Sequence, residues 1–173
     1  MRTKTITRRQ FLKTAGVTVG ATALACAGCS YQPSPVQPAQ QTDVETPGYS
    51  FGTGNAMSPK VLVVYATRTG STVGVAEAIG QTIAQNGYAV DVKPAIEGPN
   101  PAGYQAVIVG SAVQGAKWLP EAVQYVQEHQ QSLNAVPVAL FCVHIMNRGD
   151  DERARRNRLA YLNKVRALVT PVD

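Results

Sequence analysis

From Lys60 onward, solid apolar runs alternate with stretches in which apolar residues recur every three or four positions. Val61-Leu62-Val63-Val64-Tyr65 has no polar face, so Lys60–Ala66 is predicted to be a strand buried on both sides. Val75, Ile79 and Ile83, with Ala76 and Ala84 beside them, predict a helix over Ser71–Gln85 that stops at Asn86-Gly87. Tyr88–Lys93 alternates apolar and polar residues, as a strand at a sheet edge would. Pro94–Gly103 holds three prolines and two glycines and is predicted to be a loop or at most one helical turn. Ala106-Val107-Ile108-Val109-Gly110 is apolar throughout and predicts a central strand. Pro120 opens a helix to about Leu133, with Leu119, Val123 and Val126 on one face. Val138–Val143 gives a fourth strand, and Asp150–Leu168 a last helix that starts with Asp150-Asp151-Glu152, the charge a helix N-terminus favours. Strands and helices alternating in this way predict an α/β fold, a parallel sheet with crossover helices.

Before Pro59 the texture changes. Ser30 to about Ser58 is rich in Pro, Gln, Thr and Gly and has no hydrophobic period to offset the entropy of ordering, so residues 30–58 are predicted to be a flexible linker. Ahead of it, Met1 to about Ala27 has the build of an export signal: a basic start (Arg2, Lys4, Arg8, Arg9, Lys13) and then the acid-free, weakly apolar run Ala15–Ala25. That run is about 11 residues long, whereas a bilayer span needs about 20. Thr7-Arg8-Arg9-Gln10-Phe11-Leu12-Lys13 resembles the twin-arginine export motif, and a merely basic tail would leave the Phe-Leu pair unexplained. Ala25-Cys26-Ala27-Gly28-Cys29 resembles a lipoprotein processing site. Cys29 is the candidate for lipidation, or Cys26 after Ala23-Leu24-Ala25; simple cleavage, an uncleaved anchor and a Cys26–Cys29 disulfide are the alternatives.

This division accounts for the charge. Of the formal net +5, the first 58 residues carry +3, five cations against Asp43 and Glu45, which leaves +2 for the domain at 59–173. The pI of about 9.3 therefore carries no argument for nucleic-acid binding. Arg155 and Arg156 stand four residues after Asp151 and Glu152, which predicts a solvated face with ordinary ion pairs.

Candidate chemistry lies just after the first strand. Ala66-Thr67-Arg68-Thr69-Gly70-Ser71-Thr72 puts backbone N–H groups, short hydroxyls and the positive end of a helix at one point, a cradle for an anion. No Lys follows the Gly, so this is not a Walker loop, and the three-glycine dinucleotide pattern is also missing, which leaves a phosphomonoester as the natural guest. Cys142 lies inside an apolar run and reads as a core residue. No metal-ligand spacing and no Ser-His-Asp arrangement is present, so no metal is expected.

The cradle, together with Ala106-Val107-Ile108-Val109-Gly110-Ser111-Ala112-Val113, Gly115-Ala116-Lys117-Trp118 and Pro137-Val138-Ala139-Leu140-Phe141, resembles the flavodoxin-like family over about Pro59–Asp173. Arg68 and the Lys117-Trp118 loop bring the likeness nearest to the quinone-dependent protoporphyrinogen oxidase branch. The resemblance implies a doubly wound parallel sheet in the order 2-1-3-4, with FMN at the carboxyl ends of the first, third and fourth strands; flavodoxins are themselves an example of that switch-point rule. Carried over residue by residue, Thr67, Thr69, Ser71 and Thr72 match the phosphate's hydroxyl donors and Gly70 the close backbone approach. The alternatives are that Thr72 only caps the helix and Gly70 only makes the turn. Arg68 either pairs with the phosphate or faces solvent. Ser111, Ala112, Val113, Gln114, Gly115 and Trp118 are implied to flank the flavin ring, Trp118 by stacking or else as a packing residue. His144, Asn147 and Gly149 belong to a loop closing the other side; His144 either tunes a flavin nitrogen or is a structural histidine.

Two features depart from the family. A fifth strand and final helix are expected where the sequence ends at Pro171-Val172-Asp173, so the domain reads as truncated, and the branch's substrate is made inside the cell whereas this chain reads as exported. The leading expectation is an exported FMN domain, lipid-anchored at the extracytoplasmic membrane face, that transfers electrons with a quinone or other redox partner and not with nucleic acid. The alternatives are a quinone-dependent oxidase of the protoporphyrinogen type and a non-catalytic relic that serves as an interaction module.

Overall fold

The computed structural model describes residues 44–52 and 58–172. The expected signal segment and the candidate cysteines Cys26 and Cys29 lie outside the described residues. In chain order the elements are β1 (Tyr49–Phe51), β2 (Lys60–Ala66), α1 (Ser71–Gln85), β3 (Ala89–Pro94), a 3-10 turn at Ala95–Glu97, β4 (Ala106–Gln114), β5 (Lys117–Trp118), α2 (Pro120–Glu128), α3 (Gln130–Leu133), β6 (Val138–Val143), α4 (Glu152–Ala160) and α5 (Asn163–Arg166).

The sheet runs β1-β3-β2-β4-β6, with β5 folded back on the end of β4. The four expected strands pair in parallel in the order 2-1-3-4, with Val61 opposite both Val90 and Ala106, and Val109 opposite Leu140. Every residue of β2 after Lys60 is buried, because both faces of that strand are covered. Beneath one face Leu62, Val64, Val107 and Val109 pack with Ala122, Val123, Tyr125 and Val126 of α2 and with Val165 and Val169. Beneath the other, Val61, Val63, Tyr65, Val90 and Val92 pack with Ala76 of α1. The second face is the thinner: Ile108 and Phe141 are only partly buried there, and an open apolar groove of about 480 Å³ runs along α1 beside Val75, Ile79 and Ile83.

The structure corrects three expectations. The segment Tyr49–Phe51, inside the expected linker, is an antiparallel strand on β3, so β3 is not the edge. Three residues are too short to show a period, but Tyr49 and Phe51 stack with ring centroids 5.9 Å apart and pack onto the α1 face. Helix α1 admits Phe51 because residue 80 is glycine; a Cβ there would lie 2.6 Å from Val92 Cγ2 and 3.0 Å from Phe51 Cδ2. The helix expected to Leu133 is interrupted at His129, whose ring lies 4.7 Å from that of Tyr125. The last helix likewise divides at Tyr161–Leu162, which lets Tyr161 sit beneath the loop after β6 while Val165 reaches the core.

Candidate functional site

Because β2, β4 and β6 are parallel, the loops that follow them gather at one end of the sheet. The loop after β2 is built from its own residues. Gly70 N–H donates to Thr67 Oγ1 at 3.0 Å, and Gly70 adopts φ +83, a left-handed conformation that glycine enters without steric cost. Gly70 is also the N-cap of α1 and supplies no side-chain cap, so the first-turn N–H groups have no side-chain acceptor. Thr69 and Ser71 are exposed, whereas Thr72 is completely buried and its Oγ1 has no hydrogen-bond partner. A buried hydroxyl without a partner costs about 1–3 kcal/mol, and an anion oxygen at the uncapped helix start is the kind of acceptor it lacks. Thr72 does not cap α1. Arg68 neither faces solvent freely nor stands ready as a counter-ion: its guanidinium pairs at 3.4 Å with Glu121 in the first turn of α2.

The segment after β4 differs from the loop that was expected. Strand β4 continues to Gln114 and turns back into β5, pairing Val113 with Trp118 and Gln114 with Lys117. The two turn residues, Gly115 and Ala116, have φ +57 and +61, as a tight hairpin whose twist matches its strands requires. Ser111 is buried; its hydroxyl donates to Ala112 O at 2.7 Å and accepts the Leu119 N–H at 3.0 Å, so it closes the hairpin base and has no face left for a ring. Trp118 is 5% exposed and packs in the main core, which removes it as a stacking surface, although its indole Nε1 has no hydrogen-bond partner. Ala112 and Val113 are half-buried, and Gln114 and Gly115 are exposed at the hairpin tip.

The loop after β6 is held from outside itself. His144 Nδ1 lies 2.7 Å from Met146 O; a carbonyl only accepts, so Nδ1 carries the proton. The same ring meets Tyr161 edge to face at 5.4 Å, so His144 is tied both to its own loop and to the end of α4. Asn147 has φ +56; its amide donates to Tyr161 Oη and accepts from Asn157, and its carbonyl accepts from Arg158 at 2.7 Å. Arg158 also donates to Gly149 O at 2.6 Å. Gly149 leaves room for the next helix's cap: a Cβ there would lie 2.9 Å from Oδ2 of Asp151, whose carboxylate caps α4 through Ala154 N–H and would have to shift. Asn157, Arg158 and Tyr161 went unnoticed in the sequence because their partners lie 9 to 14 positions away and no local pattern marks them. Ile145 and Met146, 73% and 67% exposed on this loop, were missed as well, although two large apolar residues ahead of a polar run were a visible signal.

The electrostatics are quiet. Burial pushes the Tyr65 hydroxyl, at the end of β2, up to about 12, and burial likewise raises the Cys142 thiol, in keeping with a core cysteine. Asp91, on β3, is held below its ordinary 3.8: burial acts to raise it, but hydrogen bonds from Ser50 and Tyr104 and the charges of Lys93 and Lys60 outweigh that. Among the described residues no group of three or more His, Cys, Asp or Glu could hold a metal ion.

A model of the flavodoxin domain matches residues 62–170, and one of the twin-arginine translocation signal matches residues 5–25. The chain belongs to the flavodoxin domain family. Its sheet order and helix placement are those of that fold, and a mutant flavodoxin of Fusobacterium nucleatum bound to flavin mononucleotide superposes at TM-score 0.50 with 15% identity, over 69% of this chain and 70% of that one. Among curated proteins the chain is similar to the protoporphyrinogen IX dehydrogenase [quinone] of Escherichia coli strain K12, 26% identical over 96 residues, 54% of this chain and 53% of that protein. The dehydrogenase of the same name from Leishmania major is 28% identical over 100 residues, 56% of this chain and 43% of that protein. The chain thus spans about half the length of the curated relatives it matches. It carries a flavodoxin domain behind a match to the twin-arginine translocation signal.

Proposed function

We propose that this chain is an exported FMN-binding protein that transfers electrons at the extracytoplasmic face of the membrane, where a lipid on Cys29 anchors it. The observation that carries the reading is the buried, unpartnered hydroxyl of Thr72 at an uncapped helix start directly after Gly70. Gly70 makes the left-handed turn into the helix start, the first-turn N–H groups of α1 and the hydroxyls of Thr69, Ser71 and Thr72 hold the phosphate, and Thr67 keeps the turn closed. Arg68 acts through its pair with Glu121, fixing the loop against α2. The hairpin at Gln114–Gly115 and the loop His144–Gly149 flank the ring, with Ile145 and Met146 offering it apolar surface. FMN, when bound, supplies the one- and two-electron chemistry that no side chain here provides.

The test is titration of the purified full-length chain with FMN, read by quenching of flavin fluorescence. Saturable binding that weakens at least tenfold in Thr72→Val is expected, and no binding by the wild-type chain overturns the reading. A second reading, a quinone-dependent dehydrogenase of the protoporphyrinogen type, is favoured by the similarity to the two dehydrogenases. Substrate-dependent quinone reduction by the FMN-loaded chain would support it, and reduction of FMN without turnover would leave the electron-transfer reading.

A further inference from the structure

We propose that residues 44–48 form a strap across the candidate phosphate site, so that retention of FMN depends on the segment that leads back to the export signal. The proposal rests on the FMN reading above. Its path follows from the sheet. β1 is antiparallel to β3, with Tyr49 opposite Val92 and Phe51 opposite Val90, so the residues preceding Tyr49 emerge at the carboxyl end of β3. That is also the end at which the loop after β2 lies. Gly48 runs alongside Lys93, where a Cβ would be in ordinary contact, 3.4 Å from its Cδ and Nζ. Tyr65 Oη then donates to Pro47 O at 2.8 Å, across the end of β2. Val44 arrives at the helix cap, where a Cβ on Gly70 would lie 3.6 Å from Val44 Cγ1. Two strand spacings are about 10 Å and five extended residues reach about 17 Å, so the crossing needs no strain.

Both ends of the strap have a physical role. The distal end is pinned: Ser50 Oγ donates to Asp91 at 2.6 Å, Tyr104 Oη donates to the same carboxylate at 2.8 Å, and Phe51 packs on Gly80 of α1. The near end lies against the one residue of the loop that has neither a side chain nor a right-handed backbone, Gly70. A phosphate held by Thr69–Thr72 then has one side of its exit closed by residues 44–47, and it leaves when the strap lifts. The strap carries Glu45 as a cleavable marker, which makes its state measurable without any turnover assay.

The experiment uses the full-length chain, its Tyr65→Phe variant, which keeps the buried ring and loses the bond to Pro47, and its Val44→Gly variant, which keeps all of β1. Two quantities are read: cleavage after Glu45 by a glutamate-specific protease, with and without FMN, and the FMN release rate. In the wild type FMN is expected to slow cleavage after Glu45 at least fivefold. Each variant is expected to release FMN about fivefold faster, the effect of one hydrogen bond or a small apolar contact. Release rates equal in all three chains, with Glu45 cleaved equally fast with and without FMN, overturn the strap and leave the FMN reading standing. Failure of the wild type to bind FMN overturns both.

Discussion

The loop after β2 and the loop after β6 lie at the same end of one sheet and are made in opposite ways. The first is closed by a bond between residues three apart, Thr67 and Gly70, and leaves the Thr72 hydroxyl and a helix start without partners. The second spends its polar groups on a distant helix: Asn147, Gly149 and His144 are bonded to or packed against Asn157, Arg158 and Tyr161. A loop that closes itself keeps donors free for a ligand. A loop held by its neighbours is shaped by them and presents what they leave over, here Ile145 and Met146.

The largest expected effect tests the dependence of the second loop. Arg158→Ala leaves two carbonyls without their charged donor and should cost about 2 kcal/mol in urea unfolding, with faster proteolysis between residues 144 and 150. Arg156→Ala, which breaks only an exposed pair with Glu152, should cost less than about 0.5 kcal/mol. If the two cost the same, the loop does not need α4 and the contrast fails.

Thr72→Val sharpens the other side. It removes a buried hydroxyl that has no partner, so the chain without FMN should become about 1 kcal/mol more stable while FMN binding weakens. Opposite signs in melting and in binding separate a ligand-directed hydroxyl from a structural one. Thr67→Ala should instead lower stability by about 1 kcal/mol, because it opens the turn.

Asp91 bears on the strap that crosses the first loop. Its folded pKa lies below 3.8, so its contribution is fully present above that value and is lost as pH falls through the folded pKa. Asp91→Asn should therefore cost about 1 kcal/mol at pH 7, and the gap to wild type should shrink as pH drops below 3.8, in urea unfolding at a series of pH values. The smallest effect belongs to the hairpin: Ala116, a non-glycine residue at φ +61, should gain about 0.5 kcal/mol in thermal stability when replaced by glycine.

Much of this molecule could be read along the chain. Strands β2 and β6 and helix α1 begin and end where the apolar pattern placed them, because a strand covered on both faces, as β2 is, has to be apolar, the half-buried β6 still packs on the core, and a helix on a sheet has to repeat near 3.6. The loop after β2 was legible for another reason, its closure being local. Strand β1 was not, since three residues acquire meaning only against β3 and Gly80. Trp118 stood open between stacking and packing, and its place in the core follows from the β4–β5 turn. The bond of Ser111, which the resemblance placed only beside a flavin ring, was not legible either, since the hairpin brings the Leu119 N–H to its hydroxyl.

The sequence by itself therefore determined the strand and helix succession, the parallel sheet, the self-closing loop at Thr67–Thr72 and the separate character of the first residues. These depend on periodicity, glycine and short-range bonds, all of which are encoded within a few positions. Tertiary structure alone decided that Arg68 answers to Glu121, that α4 holds the loop after β6, and that residues 44–48 return across the end of β2. Each of those is a contact between groups far apart in the chain, and its energy exists only after the sheet has brought them together.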